Sequence, residues 1–139
     1  MTLQLETRER RDVTIVDAVG RLTLGTATSS LRELIAELAA NGSRRILVNM
    51  AGLAQVDSSG MGELIAAYTT IVESGGEMKL LNLTRRVNDL MEITKLCTVF
   101  ETFDDEDAAV DSYSESSKTE LQARWDAFFE SLKKRDAAA

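Results

Sequence analysis

The chain has 139 residues, enough for one domain, with 44% hydrophobic but only 5% aromatic residues, so aliphatic side chains must fill its core. A net charge of −7 and a pI near 4.7 argue against nucleic acid or an anionic membrane as the main partner, because both reward a basic face. Histidine is absent and cysteine occurs once, which removes Ser-His-Asp and Cys-His catalysis, the usual zinc sites and any internal disulfide.

The acidity lies in the main body, where 17 acidic residues face 11 basic ones up to Val110. The N-terminus is polar and no apolar run reaches 18 residues, so the sequence predicts no signal peptide, no membrane span and a cytoplasmic location. Cys97 stands in the apolar context Leu96-Cys97-Thr98-Val99 and is expected to be a small buried side chain.

In chain order, Leu3, Leu5 and Thr7 alternate with polar residues and predict an edge strand over 3–9. The β-branched run 13–19 predicts a stronger strand, and 20–26 a loop. Leu31, Leu34, Ile35 and Leu38 recur at helical spacing, giving a helix over 28–40 that Asn41-Gly42 ends. The run 45–50 is almost wholly apolar, as in a central parallel strand.

A helix over 59–73 follows, with Met61, Leu64, Ile65, Tyr68 and Val72 as its core stripe and the Tyr68 hydroxyl at the stripe's edge. Ser74-Gly75-Gly76 ends it. A strand over 78–83, a helix over 85–96 and a short strand over 99–103 complete the series, and 104–107 opens a further helix. The short connection between the first two strands implies antiparallel pairing; the later strand-helix-strand crossovers imply parallel pairing. The expected fold is therefore α/β, a mixed sheet of four or five strands with helices mainly on one face, over residues 1–112.

Residues 113–139 read as a polar linker and an appended amphipathic helix. Ser117 and Glu120 make a capping box, and Leu121, Trp125, Phe128, Phe129 and Leu132 share one helical face. That face must dock on the same domain, pair two copies into a homodimer, or hold a partner.

The richest stretch is Asp57-Ser58-Ser59-Gly60-Met61-Gly62, between the apolar strand and the second helix. Such a junction can present a hydroxyl to solvent and hold an anion on free N–H groups. Locally the same residues make an ordinary cap and turn. There is no Walker lysine and no GxGxxG pattern, and no second acid is paired with Asp57, so neither a nucleotide cofactor nor acid–base catalysis is expected. Asp104-Asp105-Glu106-Asp107 lacks the spacing of a calcium loop and reads as a helix start dressed with acids, so no metal is expected; Arg85-Arg86 could contact an anion, but such a pair is more often a solvated helix start.

The order of these pieces resembles the STAS domains, and specifically the bacterial anti-sigma factor antagonists. Gly20-Arg21-Leu22 follows an early strand, the Asp57-Ser58-Ser59-Gly60 turn follows the central one, and Gly75-Gly76 precedes Met78-Lys79-Leu80-Leu81. The resemblance runs from about Leu3 to Val110. It implies a non-enzymatic switch with Ser58 as phosphoacceptor and Asp57, Ser58, Ser59, Gly60, Met61 and Gly62 as the partner surface. The implied partners are an anti-sigma factor serine kinase and a serine phosphatase. Within the same family the alternative is a scaffold or regulatory subunit of a signalling or transport complex; outside it, a nucleotide-binding domain. One departure is the loop Thr23-Leu24-Gly25-Thr26, which carries hydroxyls where many family members place an aspartate.

Overall fold

A computed structural model describes residues 3–23, 29–113 and 127–130. The first two strands, β1 (Gln4–Arg10) and β2 (Val13–Leu22), form an antiparallel hairpin. Its two turn residues, Arg11 and Asp12, have φ of 51° and 65°. Two left-handed residues match the right-handed twist of the strands they join.

From there the chain alternates: α1 (Ser29–Ala40), β3 (Arg45–Val56), α2 (Ser58–Glu73), β4 (Glu77–Leu81) and α3 (Arg85–Thr94). A single 3₁₀ turn at Leu96–Thr98 leads to β5 (Thr102–Phe103) and α4 (Glu106–Ser112). The five strands lie in the order β1-β2-β3-β4-β5, and every pair after the first is parallel. This is the expected mixed α/β sheet.

Alternation along the strands sends side chains to two faces. One face carries Val16, Ile46, Val48, Met50 and Leu80, which form the main core with α1, α2 and α3. Phe128, from the short helical stretch 127–130, is buried in this same core, so that residue docks on its own domain. Leu121, Trp125 and Leu132 lie outside the described residues. The opposite face carries Val13, Ile15, Leu47 and Leu81, covered by Ala109, Val110 and Tyr113 of α4 and its C-cap.

Ion pairs between chain segments about a hundred residues apart hold α4 in place. Arg8 bonds Asp17 at 2.8 Å and reaches Glu106; Arg10 bonds Glu106 at 2.8 Å and also reaches Asp107; Arg11 pairs with Asp111. Asp105 caps α4 by accepting the Ala108 N–H at 3.0 Å. The acidic run 104–107 is thus a helix start, as expected, and also the acceptor of a basic strand.

Hydrogen bonds from Arg8 hold the Asp17 and Glu106 carboxyls below their ordinary values. A depressed carboxylate contributes stability that is complete above the ordinary carboxylate range, around pH 4, and is lost as pH falls through the folded value. The melting temperature should therefore drop between pH 6 and pH 3, and the drop should shrink in Glu106→Gln. Identical acid limbs for the two proteins, followed by circular dichroism, would show that the clip is not the cause.

The structure corrects several local expectations. Gly20, Arg21 and Leu22 are not loop but the end of β2, because β3 continues beside them to Val56. β3 therefore outruns the apolar segment 45–50. Cys97 is exposed: Lys95 turns left-handed (φ 66°), and the 3₁₀ turn then points Leu96 and Val99 inward and Cys97 outward. The Tyr68 hydroxyl lies inside the core, its ring edge-on to Phe100 at 5.1 Å, and not at the edge of the stripe. The final strand shortens to two residues because the 3₁₀ turn takes up the chain before it. Among the described residues no helix is long and apolar enough to cross a membrane.

Candidate functional site

β3 passes into α2 through one residue. Asp57 has extended backbone (φ −112°, ψ −175°), and its Oδ1 accepts the Gly60 N–H at 2.9 Å. Its carbonyl accepts the Met61 N–H at 3.0 Å, so backbone and side chain both close the first turn. The Asp57 N–H donates to the Leu22 carbonyl at 3.3 Å and ties the turn to the end of β2. Gly60 packs against that same carbonyl: a Cβ at Gly60 would stand 1.9 Å from the Leu22 oxygen. Only glycine fits.

This anchoring decides which groups face out. Ser58 and Ser59 occupy the first two helical positions and are exposed. Gly62 is exposed too, with nothing within 4 Å of where a Cβ would be. Asp57 sits half-buried at the rim. Gly60 and Met61 face inward, and the Met61 side chain, 2% exposed, belongs to the core. Of the six residues singled out from sequence, four make the outer surface and two seat it.

The arrangement offers solvent a hydroxyl at a helix N-terminus. The positive end of the helix dipole tolerates an anion there, typically gaining about 0.3–1 kcal/mol. The Asp57 carboxylate is engaged with the helix start, and among the described residues no cluster of three or more potential metal ligands exists. An anion added to either exposed hydroxyl would lie at the positive end of α2.

Beside the turn lies a groove of about 330 Å³, between residues 53–56 of β3 and residues 84–87 at the start of α3. Thr84 caps α3 by accepting the Val87 N–H at 3.4 Å, which leaves Arg85 and Arg86 exposed on the first turn. Sequence reasoning missed this groove. Residues 51–56 are mostly exposed and show no strand period, and an arginine pair at a helix start carries no distinctive signal.

The family model described as the STAS domain matches residues 4–109. The chain belongs to the STAS domain family. This STAS domain is similar to an anti-sigma F factor antagonist of Paenibacillus polymyxa, 27% identical over 106 residues, which cover 76% of this chain and 91% of the relative. Its fold is that of the phosphorylated form of the Bacillus cell fate determinant SpoIIAA, with a TM-score of 0.62 and 23% identity, covering 81% of this chain and 99% of that one. The fold also matches part of the murine Solute Carrier 26 family member A9 anion transporter, with a TM-score of 0.67 and 20% identity, over 78% of this STAS domain and 19% of the transporter chain. Fold alone therefore does not separate an antagonist from a transporter module.

Proposed function

We propose that this STAS domain is an anti-sigma factor antagonist switched by phosphorylation of Ser58. Unphosphorylated, it binds a kinase-type anti-sigma factor and so frees a sigma factor. The kinase spends ATP to phosphorylate Ser58 and the complex dissociates; a serine phosphatase restores the binding form. The protein itself catalyses nothing. The observation that carries this reading is the exposed Ser58 hydroxyl at the first position of α2, on a turn pinned by Asp57 and Gly60. The name of the curated relative supports the choice of partner.

The physics of the switch is local. A phosphoserine brings about −1.5 to −2 charges. At an exposed helix start this leaves the fold intact, but within a closed interface it requires desolvating a dianion.

The test is phosphosite mapping after incubation with the cognate kinase and ATP, alongside binding. Ser58→Ala should bind the kinase about as tightly as the parent and resist release. Ser58→Asp, with about one added charge, should weaken binding less than phosphate, which should weaken it about 100-fold or more. Ser59→Ala should still be phosphorylated. Phosphate on Ser59 would refute the site, and equal binding by both forms would refute the switch.

A further inference from the structure

β3 outruns its neighbour. β4 pairs with it only between Arg45 and Asn49, whereas β2 follows it to Val56. Among the described residues, 51–56 therefore have a strand on one flank alone. At about 3.3 Å per residue this is roughly 20 Å of open edge. Two bulges interrupt the register of this stretch with β2, and the Ala51 N–H already donates to Asn49 Oδ1 at 3.2 Å; the other backbone groups that aim away from β2 face no strand. Such an edge is a template for another strand.

The open edge faces the groove described above. One wall is residues 53–56; the other is the first turn of α3. Leu53 and Val87, both buried, form its apolar floor, and no carboxylate lines it. Arg85 and Arg86 stand exposed on the far wall, and neither makes an ion pair among the described residues. In a chain of net charge −7, they set two cations side by side on one wall of the groove.

The geometry points to a β-addition slot: an extended, acidic segment of a protein partner pairs with the open edge of residues 51–56 and sets its carboxylates on Arg85 and Arg86. The edge accounts for the extended backbone, and the arginines account for the acid. The net charge of −7 disfavours an acidic segment over much of the surface, and the arginine pair offsets it at the slot. The slot ends at Val56, next to Asp57 and Ser58. Phosphate on Ser58 then stands at its mouth and repels the segment, a link that rests on the phosphorylation reading; the slot itself does not.

Two synthetic octapeptides test this, one alternating valine with glutamate and one alternating valine with lysine. They are titrated into the ¹⁵N-labelled full chain and followed by amide chemical shifts. The glutamate peptide should shift residues 51–56 and 84–87, and the lysine peptide should bind about tenfold more weakly. A glutamate peptide with alternate backbone nitrogens methylated, unable to pair with the edge, should lose binding. The double variant Arg85→Glu/Arg86→Glu should reverse the charge preference while keeping the parent melting temperature.

Shifts elsewhere on the surface, equal binding of the methylated peptide, or an unchanged preference in the double variant would overturn the slot. Protein phosphorylated on Ser58 should bind the glutamate peptide severalfold more weakly, and equal binding would sever the link to the switch. Failure of the kinase to modify Ser58 would count against the proposed function and leave the peptide result standing.

Discussion

Gly60→Ala is expected to destabilise the domain by about 3 kcal/mol, the upper end of overpacking costs. The added methyl would sit 1.9 Å from the Leu22 carbonyl oxygen and 2.9 Å from its carbon. Both atoms are backbone, so no side-chain rotation relieves the clash. The start of α2 must lift, and that strains the 2.9 Å bond from Gly60 to Asp57 and the 3.3 Å bond from Asp57 to Leu22. Alanine's helix propensity returns at most about 1 kcal/mol. Gly62→Ala is the control: its Cβ meets nothing within 4 Å, so the same substitution two residues on should be neutral or stabilising. Urea denaturation should shift the midpoint down for the first and not for the second. A Gly60→Ala protein as stable as the parent would mean that the turn is not pinned as described.

The second large effect lies on the other face of the sheet. Lys79 is 1% exposed, with Nζ 2.9 Å from Ser112 Oγ, 3.2 Å from Glu101 Oε2 and 3.9 Å from Glu77 Oε2. It also stands over the Tyr113 ring, 4.6 Å from the centroid. Burial, and next Glu77, push the Tyr113 phenol well above its ordinary value, so it stays neutral and donates to the Ile46 carbonyl. Lys79→Met fills the space but removes the buried cation from beside Glu101, at 3.2 Å, and Glu77, at 3.9 Å, a loss of about 3–5 kcal/mol. Glu77→Gln added to Lys79→Met should recover part of that. A double-mutant cycle measures the coupling. Wild-type stability in Lys79→Met alone would show that the cluster contributes nothing.

Much of the fold could be read from sequence because it rests on local signals. The helical spacing of Leu31, Ile35 and Leu38 and the apolar run 45–50 mark their elements regardless of context. The Asp57 cap is equally local: acid, two hydroxyls and glycine specify a helix start within four residues. What escaped depends on distance. Nothing near Arg8 or Arg10 in sequence announces Glu106 or Asp107, and the pairing exists only once the sheet brings β1 beside α4. Lys79 reads as an ordinary polar interruption until Tyr113 and Ser112 cover it. Residues 51–56 carry little apolar pattern because one flank and much of their surface stay open; pairing with β2 alone makes them strand.

The clip between β1 and α4 also sets an order of events at the ribosome. The arginines emerge first, and the acids that hold them emerge about a hundred residues later. At about 5–20 residues per second, roughly 5–20 s pass in which Val13 and Ile15 are present but their cover is not yet made. During that interval an apolar strip beside a basic strand is open to other nascent chains. Completion of the domain, and escape from that hazard, waits on α4.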